Sequence, residues 1–323
     1  MKIKRVDNLT NPSKIKKLQE EIKTLKEEEN ALILAHNYVD INVQEIADAV
    51  GDSLFLAKIA REKAEEFDYI IQAAVTFMAE TAVIINPEKD VYIAGEEAYC
   101  PMARMCPAEV IDRYKEKYPN LPVVLYVNTT AAAKAKADVM CTSSNAVNIC
   151  KKMNNQKLLF GPDRNLGNWV RKQSDIDIIS IPDNGHCYVH KMFKSKHIQK
   201  IKDTHPDAIS LAHPECDIEV LNNVDVVGST KTMYDYCGDS NEKEFIIATE
   251  KGLINRLNKD FGPDKKFYPA FNKAICKGMK NNTLENILKI LLNRPESYKV
   301  TLDSDIIQKA KVGINKMFEL MKK

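Results

Sequence analysis

Short apolar runs that stop abruptly at polar residues recur along the chain in a fixed order. Ala31 to Ala35 runs into His36-Asn37-Tyr38, Val123 to Val127 into Asn128-Thr129, and Ile209 to Ala212 into His213-Pro214-Glu215. A short continuous apolar run between turn signals predicts a strand buried on both faces, as in a parallel sheet. Each is followed by a turn of small and hydroxyl residues: Gly51-Asp52-Ser53, Thr142-Ser143-Ser144-Asn145 and Gly228-Ser229-Thr230. Next come the apolar runs Tyr69 to Val75, Leu158 to Phe160 and Phe245 to Ala248. A last run in each third, Asp90 to Ala94, Ile176 to Ile181 and Lys266 to Ala270, leads to Cys100, Cys187 and Cys276. Features recurring at one period, here roughly 90 residues, mark a repeated architecture.

That repeat predicts a triplicated α/β unit, three stacked or ringed copies with the cysteines at equivalent corners. The expected boundaries are an N-terminal helical segment (1–30), units at 31–120, 121–206 and 207–300, and a C-terminal helix (301–323). Ile15, Leu18, Ile22 and Leu25, spaced by three and four, predict an amphipathic helix over Asn11 to Asn30 with its charged face in solvent. Further helices are expected from Ser53 to about Glu66, with Ser53 as N-cap, from Phe77, and after Gly161-Pro162-Asp163, where the single tryptophan, Trp169, is assigned to the core. Leu284 to Asn293 and Ser304 to Met321 complete the set, the last using Ile306, Ile307, Ala310 and Val312 as its apolar positions.

Composition narrows the function. With 44% hydrophobic and 28% charged residues and a net charge of +2, the chain reads as globular, and nucleic acid is not expected as a partner. No apolar run approaches the roughly 20 residues of a membrane span, and no signal-peptide core opens the sequence, so a cytoplasmic enzyme without a membrane partner is expected. Eight cysteines are many for a reducing compartment, where disulfides are rare. Cys106, Cys141, Cys150, Cys216 and Cys237 read as small buried hydrophobes; Cys100, Cys187 and Cys276 read as ligands of one shared metal site.

Three thiolates are one short of the usual set for an iron–sulfur cube, which leaves an iron open as a Lewis acid. Around it the strand ends supply His36, Tyr38, Tyr126, Asn128, His213 and Glu215 for proton transfer, and the hydroxyl turns suit anionic groups. Dehydration of a small, multiply anionic molecule fits such a site. A carboxylate at Glu215, desolvated and near negative charge, is expected to favour its protonated form. A hydro-lyase with a single zinc or iron ion, and a non-enzymatic cluster carrier, are the other readings of the three cysteines.

Several stretches together resemble the quinolinate synthase family of NAD biosynthesis. They include Ala35-His36-Asn37-Tyr38, Gly51-Asp52-Ser53-Leu54, Phe77-Met78-Ala79-Glu80, Cys100-Pro101-Met102-Ala103 and Tyr126-Val127-Asn128-Thr129. The match continues through Cys141-Thr142-Ser143-Ser144-Asn145, Gly185-His186-Cys187-Tyr188-Val189-His190, Ala212-His213-Pro214-Glu215-Cys216 and Cys276. The resemblance implies an α/β fold of three αβα sandwich units around a pseudo-threefold axis, a 4Fe–4S cluster on Cys100, Cys187 and Cys276, and condensation of iminoaspartate with dihydroxyacetone phosphate to quinolinate, with loss of phosphate and two waters. It implies substrate binding by His36, Ser53, Tyr126, Asn128, Ser143, His213, Glu215, Ser229 and Thr230, and proton transfer by Tyr38 and Glu215 assisted by His213. It also implies coupling to an L-aspartate oxidase or dehydrogenase that supplies iminoaspartate. The chain resembles the compact form, without a C-terminal Cys-x-x-Cys pair.

Overall fold

The computed structural model describes residues 11–322, so the first ten residues of the expected N-terminal segment and the last of the C-terminal one lie outside it. The first third carries β1 (Ala31–His36), β2 (Ala49–Gly51), β3 (Tyr69–Ala73) and β4 (Asp90–Ile93). The second carries β5 (Val123–Tyr126), β6 (Val139–Cys141), β7 (Lys157–Gly161) and β8 (Asp177–Ser180). The third carries β9 (Ile209–Ala212), β10 (Val226–Val227), β11 (Glu244–Ala248) and β12 (Lys266–Pro269). The sheet orders are β2-β1-β3-β4, β6-β5-β7-β8 and β10-β9-β11-β12, one permutation used three times. All neighbours are parallel, with registers such as Ala35↔Ala73, Leu125↔Gly161 and Ala212↔Ala248.

The first strand of each unit and the third beside it are the apolar runs that the pattern predicts. The short outer strands β2, β6 and β10 are not, because two or three residues carry no periodicity. An aspartate just before each locks it in place. Asp48 accepts the N–H of Ile33 at 2.8 Å, Asp138 that of Val123 at 2.7 Å, and Asp225 that of Ser210 at 2.8 Å. The backbone N–H of each aspartate returns a bond to the carbonyl of the same residue. The pattern Asp-x-x is visible at all three places in the sequence and was the available signal.

One apolar cluster joins the first two units, and two smaller ones flank the third sheet. In β11, Ile246 and Ala248 face one of these and Phe245 and Ile247 the other, the alternation that a doubly covered strand requires. The final helix, Ser304–Lys322, buries Ala310, Gly313, Ile314, Met317 and Phe318. Val312, expected on its apolar face, is instead exposed, because the stripe facing the protein lies over residues 310, 314 and 317. Trp169 is half-buried rather than core, its ring lying against the edges of two clusters and 5.8 Å from the Lys172 ammonium. Cys106, Cys141, Cys150, Cys216 and Cys237 are buried, as expected of small hydrophobes.

Candidate active site

Parallel sheets present their ligand groups beyond the carboxyl ends of the strands. Here the ends of the three sheets open on one chamber. His36 and Tyr38 reach it from β1, Tyr126 and Asn128 from β5, and His213 and Glu215 from β9. Ser53, Ser143 and Thr230 enter from the turns after β2, β6 and β10, and Cys100, Cys187 and Cys276 from the segments after β4, β8 and β12. Ser229 alone among the expected residues does not line the chamber. Its hydroxyl caps the helix Thr230–Asp239 by accepting from Thr232 N–H. Ser53 is not the N-cap of its helix either; Asp52 is, accepting from Phe55 N–H at 2.9 Å, which leaves the Ser53 hydroxyl to the chamber.

Two histidines share one local device. His36 Nδ1 accepts the N–H of Tyr38 at 3.1 Å, and His213 Nδ1 accepts that of Glu215 at 3.3 Å. Burial pushes both rings down to about 3, so they are neutral near pH 7. With Nδ1 an acceptor, the ring proton sits on Nε2, and His213 donates it to Ser143 Oγ at 3.2 Å. Burial also raises the Tyr38 and Tyr126 phenols well above their ordinary value, with the nearby Glu215 charge adding to it. Both phenols are therefore O–H donors.

Glu215 departs from expectation. Burial opposes its ionisation, but His190 and the Tyr126 hydroxyl beside it outweigh that cost and hold the carboxyl below its ordinary value. It is an ionised acceptor and not a stored proton, because polar neighbours surround it where the sequence suggested only negative charge. His190 Nδ1 lies 2.7 Å from Glu215 Oε2, although its N–H is not aimed along that line, and the ring stacks on His213 with centroids 4.5 Å apart. On its far side His190 Nε2 is 2.9 Å from Thr249 Oγ1, which is 2.6 Å from the Tyr38 hydroxyl. Tyr38 is itself fixed from behind, since a Cβ at Gly252 would come within 2.7 Å of its Cα.

The cysteines form a second triplicated device. Backbone N–H groups three residues on, at Ala103, His190 and Met279, face the sulfurs of Cys100, Cys187 and Cys276. Burial raises all three thiols, Cys100 to about 12, and each is raised further by negative charge nearby. Thiols so desolvated ionise only against a bound cation. Buried Asp163 and Glu250 each cap a helix and accept the backbone N–H of Cys187 and Cys276, both at 3.1 Å. The Cys187 sulfur, a His190 ring nitrogen and a Glu215 oxygen also lie within 4.8 Å of one another, a donor set able to hold a metal ion. Glu215 Oε1 and Asn128 Oδ1 are buried with no partner among the described residues, so each can accept a hydrogen bond from a ligand.

Asp52, His190, Thr249 and Glu250 lie in matching stretches of the sequence, which assigns none of them a role in the site. His190 closes the Gly-His-Cys-Tyr-Val-His stretch, and its place one helical turn after Cys187 was the usable signal. Thr249 and Glu250 follow β11 just as the expected residues follow β1, β5 and β9.

The family described as Quinolinate synthetase A protein matches residues 20–319. The quinolinate synthase of Caldicellulosiruptor bescii is 46% identical over 307 residues, covering 95% of this chain and 99% of the relative. That of Pyrococcus furiosus is also 46% identical over 307 residues, with the same coverage. The Thermotoga maritima enzyme is 46% identical over 302 residues, covering 94% of this chain and 99% of the relative.

Proposed function

This chain belongs to the quinolinate synthase family and is an enzyme of that type, and from that premise we propose how its chamber makes quinolinate. The substrates are iminoaspartate and dihydroxyacetone phosphate. Their condensation to quinolinic acid with loss of phosphoric acid and two waters balances in every atom and needs no oxidant. An enzyme that oxidises L-aspartate supplies the imine, which hydrolyses if left in water.

Cys100, Cys187 and Cys276 hold a 4Fe–4S cluster. The fit rests on three half-buried cysteines, each with its sulfur facing a backbone N–H and all lining one chamber. Bound there, the cluster supplies an iron with an open position, a Lewis acid for a substrate carboxylate or hydroxyl.

The side chains do the rest. Glu215, ionised and with a free Oε1, accepts a proton from the carbon or nitrogen that forms each new bond. Tyr38 donates to the departing hydroxyl; Thr249 is within hydrogen-bond distance of both Tyr38 and His190, and His190 borders Glu215. Ser143 Oγ already accepts a hydrogen bond from His213, and Thr230 Oγ1 one from Asn37 at 2.8 Å. Their own O–H groups are thereby free to donate to the phosphate or carboxylates, and the Ser53 O–H, which points at Met78 Sδ 3.6 Å away, can exchange that weak acceptor for them. His36, Tyr126 and Asn128 complete the polar lining.

The observation that carries this reading is that the three repeat cysteines and the half-satisfied Glu215 line the same chamber. Anaerobic enzyme supplied with both substrates tests it by the appearance of the pyridine ring absorbance. Product formed at full rate by protein lacking iron would overturn it.

A further inference from the structure

Asp52, Ser144 and Ser229 come from three different thirds of the chain, and their side chains meet at one point. Ser144 Oγ donates to Asp52 Oδ2, Ser229 Oγ lies 3.4 Å from the same oxygen, and the two serine oxygens are 2.9 Å apart. The other carboxylate oxygen, Oδ1, is occupied by Phe55 N–H. Each member is the immediate neighbour in sequence of a hydroxyl that lines the chamber: Ser53 beside Asp52, Ser143 beside Ser144, and Thr230 beside Ser229.

A buried carboxylate beside an anion-binding cavity is costly on two counts, desolvation and repulsion of the ligand. A merely structural junction between three turns would be served by neutral groups. The carboxylate has one property they lack: it accepts several hydrogen bonds at once and donates none. It can therefore draw two hydroxyls and a helix N-terminus to one place, and Ser229 Oγ, also 3.2 Å from Thr232 Oγ1, stays within reach of it. With Ser144 and Ser229 turned to Asp52, the hydroxyls next to them are set towards the chamber.

We propose that Asp52 is a positioning residue for the anionic substrate, gathering Ser144 and Ser229 so that Ser53, Ser143 and Thr230 are held together as donors to its phosphate or carboxylate. This rests on the function proposed above. It assigns Ser229 to the support of the site and not to substrate contact. It also explains why the turns of three separate sheets keep one mutual geometry at a junction with no backbone pairing between them.

The test is steady-state kinetics and calorimetric binding of dihydroxyacetone phosphate with anaerobic holoenzyme carrying Asp52→Asn, Ser144→Ala or Ser229→Ala. Asn keeps one acceptor oxygen but puts a donating amide against the serines. A displacement of binding groups by an ångström or less costs on the order of 10- to 100-fold. Asp52→Asn should therefore raise KM and Kd for dihydroxyacetone phosphate by at least about 10-fold while kcat changes less than about 3-fold. Iron content and melting temperature should stay near wild type. Each serine variant should give a smaller rise, and Ser144→Ala should add almost nothing once Asp52 is Asn. A brace for the fold alone would lower the melting temperature and leave KM unchanged. If Asp52→Asn does not fold, the Ser144→Ala/Ser229→Ala double variant, which keeps the helix cap, answers the same question. Wild-type KM and Kd in whichever of these folds would overturn the proposal. Ser143→Ala and Thr230→Ala separate the two claims: if they too leave affinity unchanged the reading of the chamber hydroxyls fails, and if only they weaken it the positioning role alone fails.

Discussion

The Tyr38 hydroxyl and Thr249 Oγ1 lie 2.6 Å apart, although their residues come from the first and third sheets. Thr249 can accept from the phenol while donating to His190 Nε2, and His190 in turn borders Glu215. The two candidate proton-transfer groups are thus joined across a unit boundary.

Removing the carboxylate should stop proton transfer without emptying the site. Glu215→Gln keeps shape and most hydrogen bonds, so iron content and substrate KM should stay close to wild type. The kcat should fall by at least roughly 100-fold, the lower end of what a positioned base contributes. Single-turnover kinetics with verified cluster content checks this; near wild-type turnover would leave Glu215 a structural residue.

Thr249→Val preserves volume and removes the hydroxyl between Tyr38 and His190. The kcat should drop by about 10-fold, with Tyr38→Phe larger. If the two act in one network, the double variant should be no worse than Tyr38→Phe alone. Additive losses in the double-mutant cycle would show that the contact has no part in turnover.

Burial keeps His36 and His213 neutral down to about 3 from their ordinary 6.5. The unfolded chain takes up those protons below about pH 6.5 while the folded chain does not, so their contribution is fully kept above that pH and lost as pH falls towards 3. Urea unfolding of the anaerobic protein at about pH 7.5 and about pH 5.5 should show stability decreasing towards acid, each histidine approaching about 1.4 kcal/mol per pH unit. His213→Asn should flatten the slope, and an unchanged slope would contradict the neutral assignment.

Much of this architecture is legible in the sequence because buried parallel strands are written as plain apolar runs, as at Ile209–Ala212. The polar residues that end them fell in the chamber for the same reason: the chain leaves the sheet there. What escaped detection was too short or depended on neighbours. β10 is two residues long, and only its paired Asp225 betrays it. Ser53 looked like a cap because nothing local distinguishes it from Asp52. The ionised state of Glu215 depends on His190, which arrives from the second third of the chain. Val312 fitted an apolar stripe by composition but lies off the face that the last helix turns to β6.

In the function proposed above, one cysteine from each third of the chain holds a single iron–sulfur cluster in the chamber. Iron and acid-labile sulfide, measured per chain on anaerobically prepared protein, test it most directly when wild type is compared with single Cys→Ala variants. Wild type should carry about four of each, the content of a 4Fe–4S cluster. Cys100→Ala, Cys187→Ala and Cys276→Ala should each lose the cluster, while Cys150→Ala and Cys237→Ala, altered at buried sites away from the chamber, should keep it. Full iron and sulfide in any of the first three, or wild-type protein holding a single metal ion without sulfide, would contradict the claim.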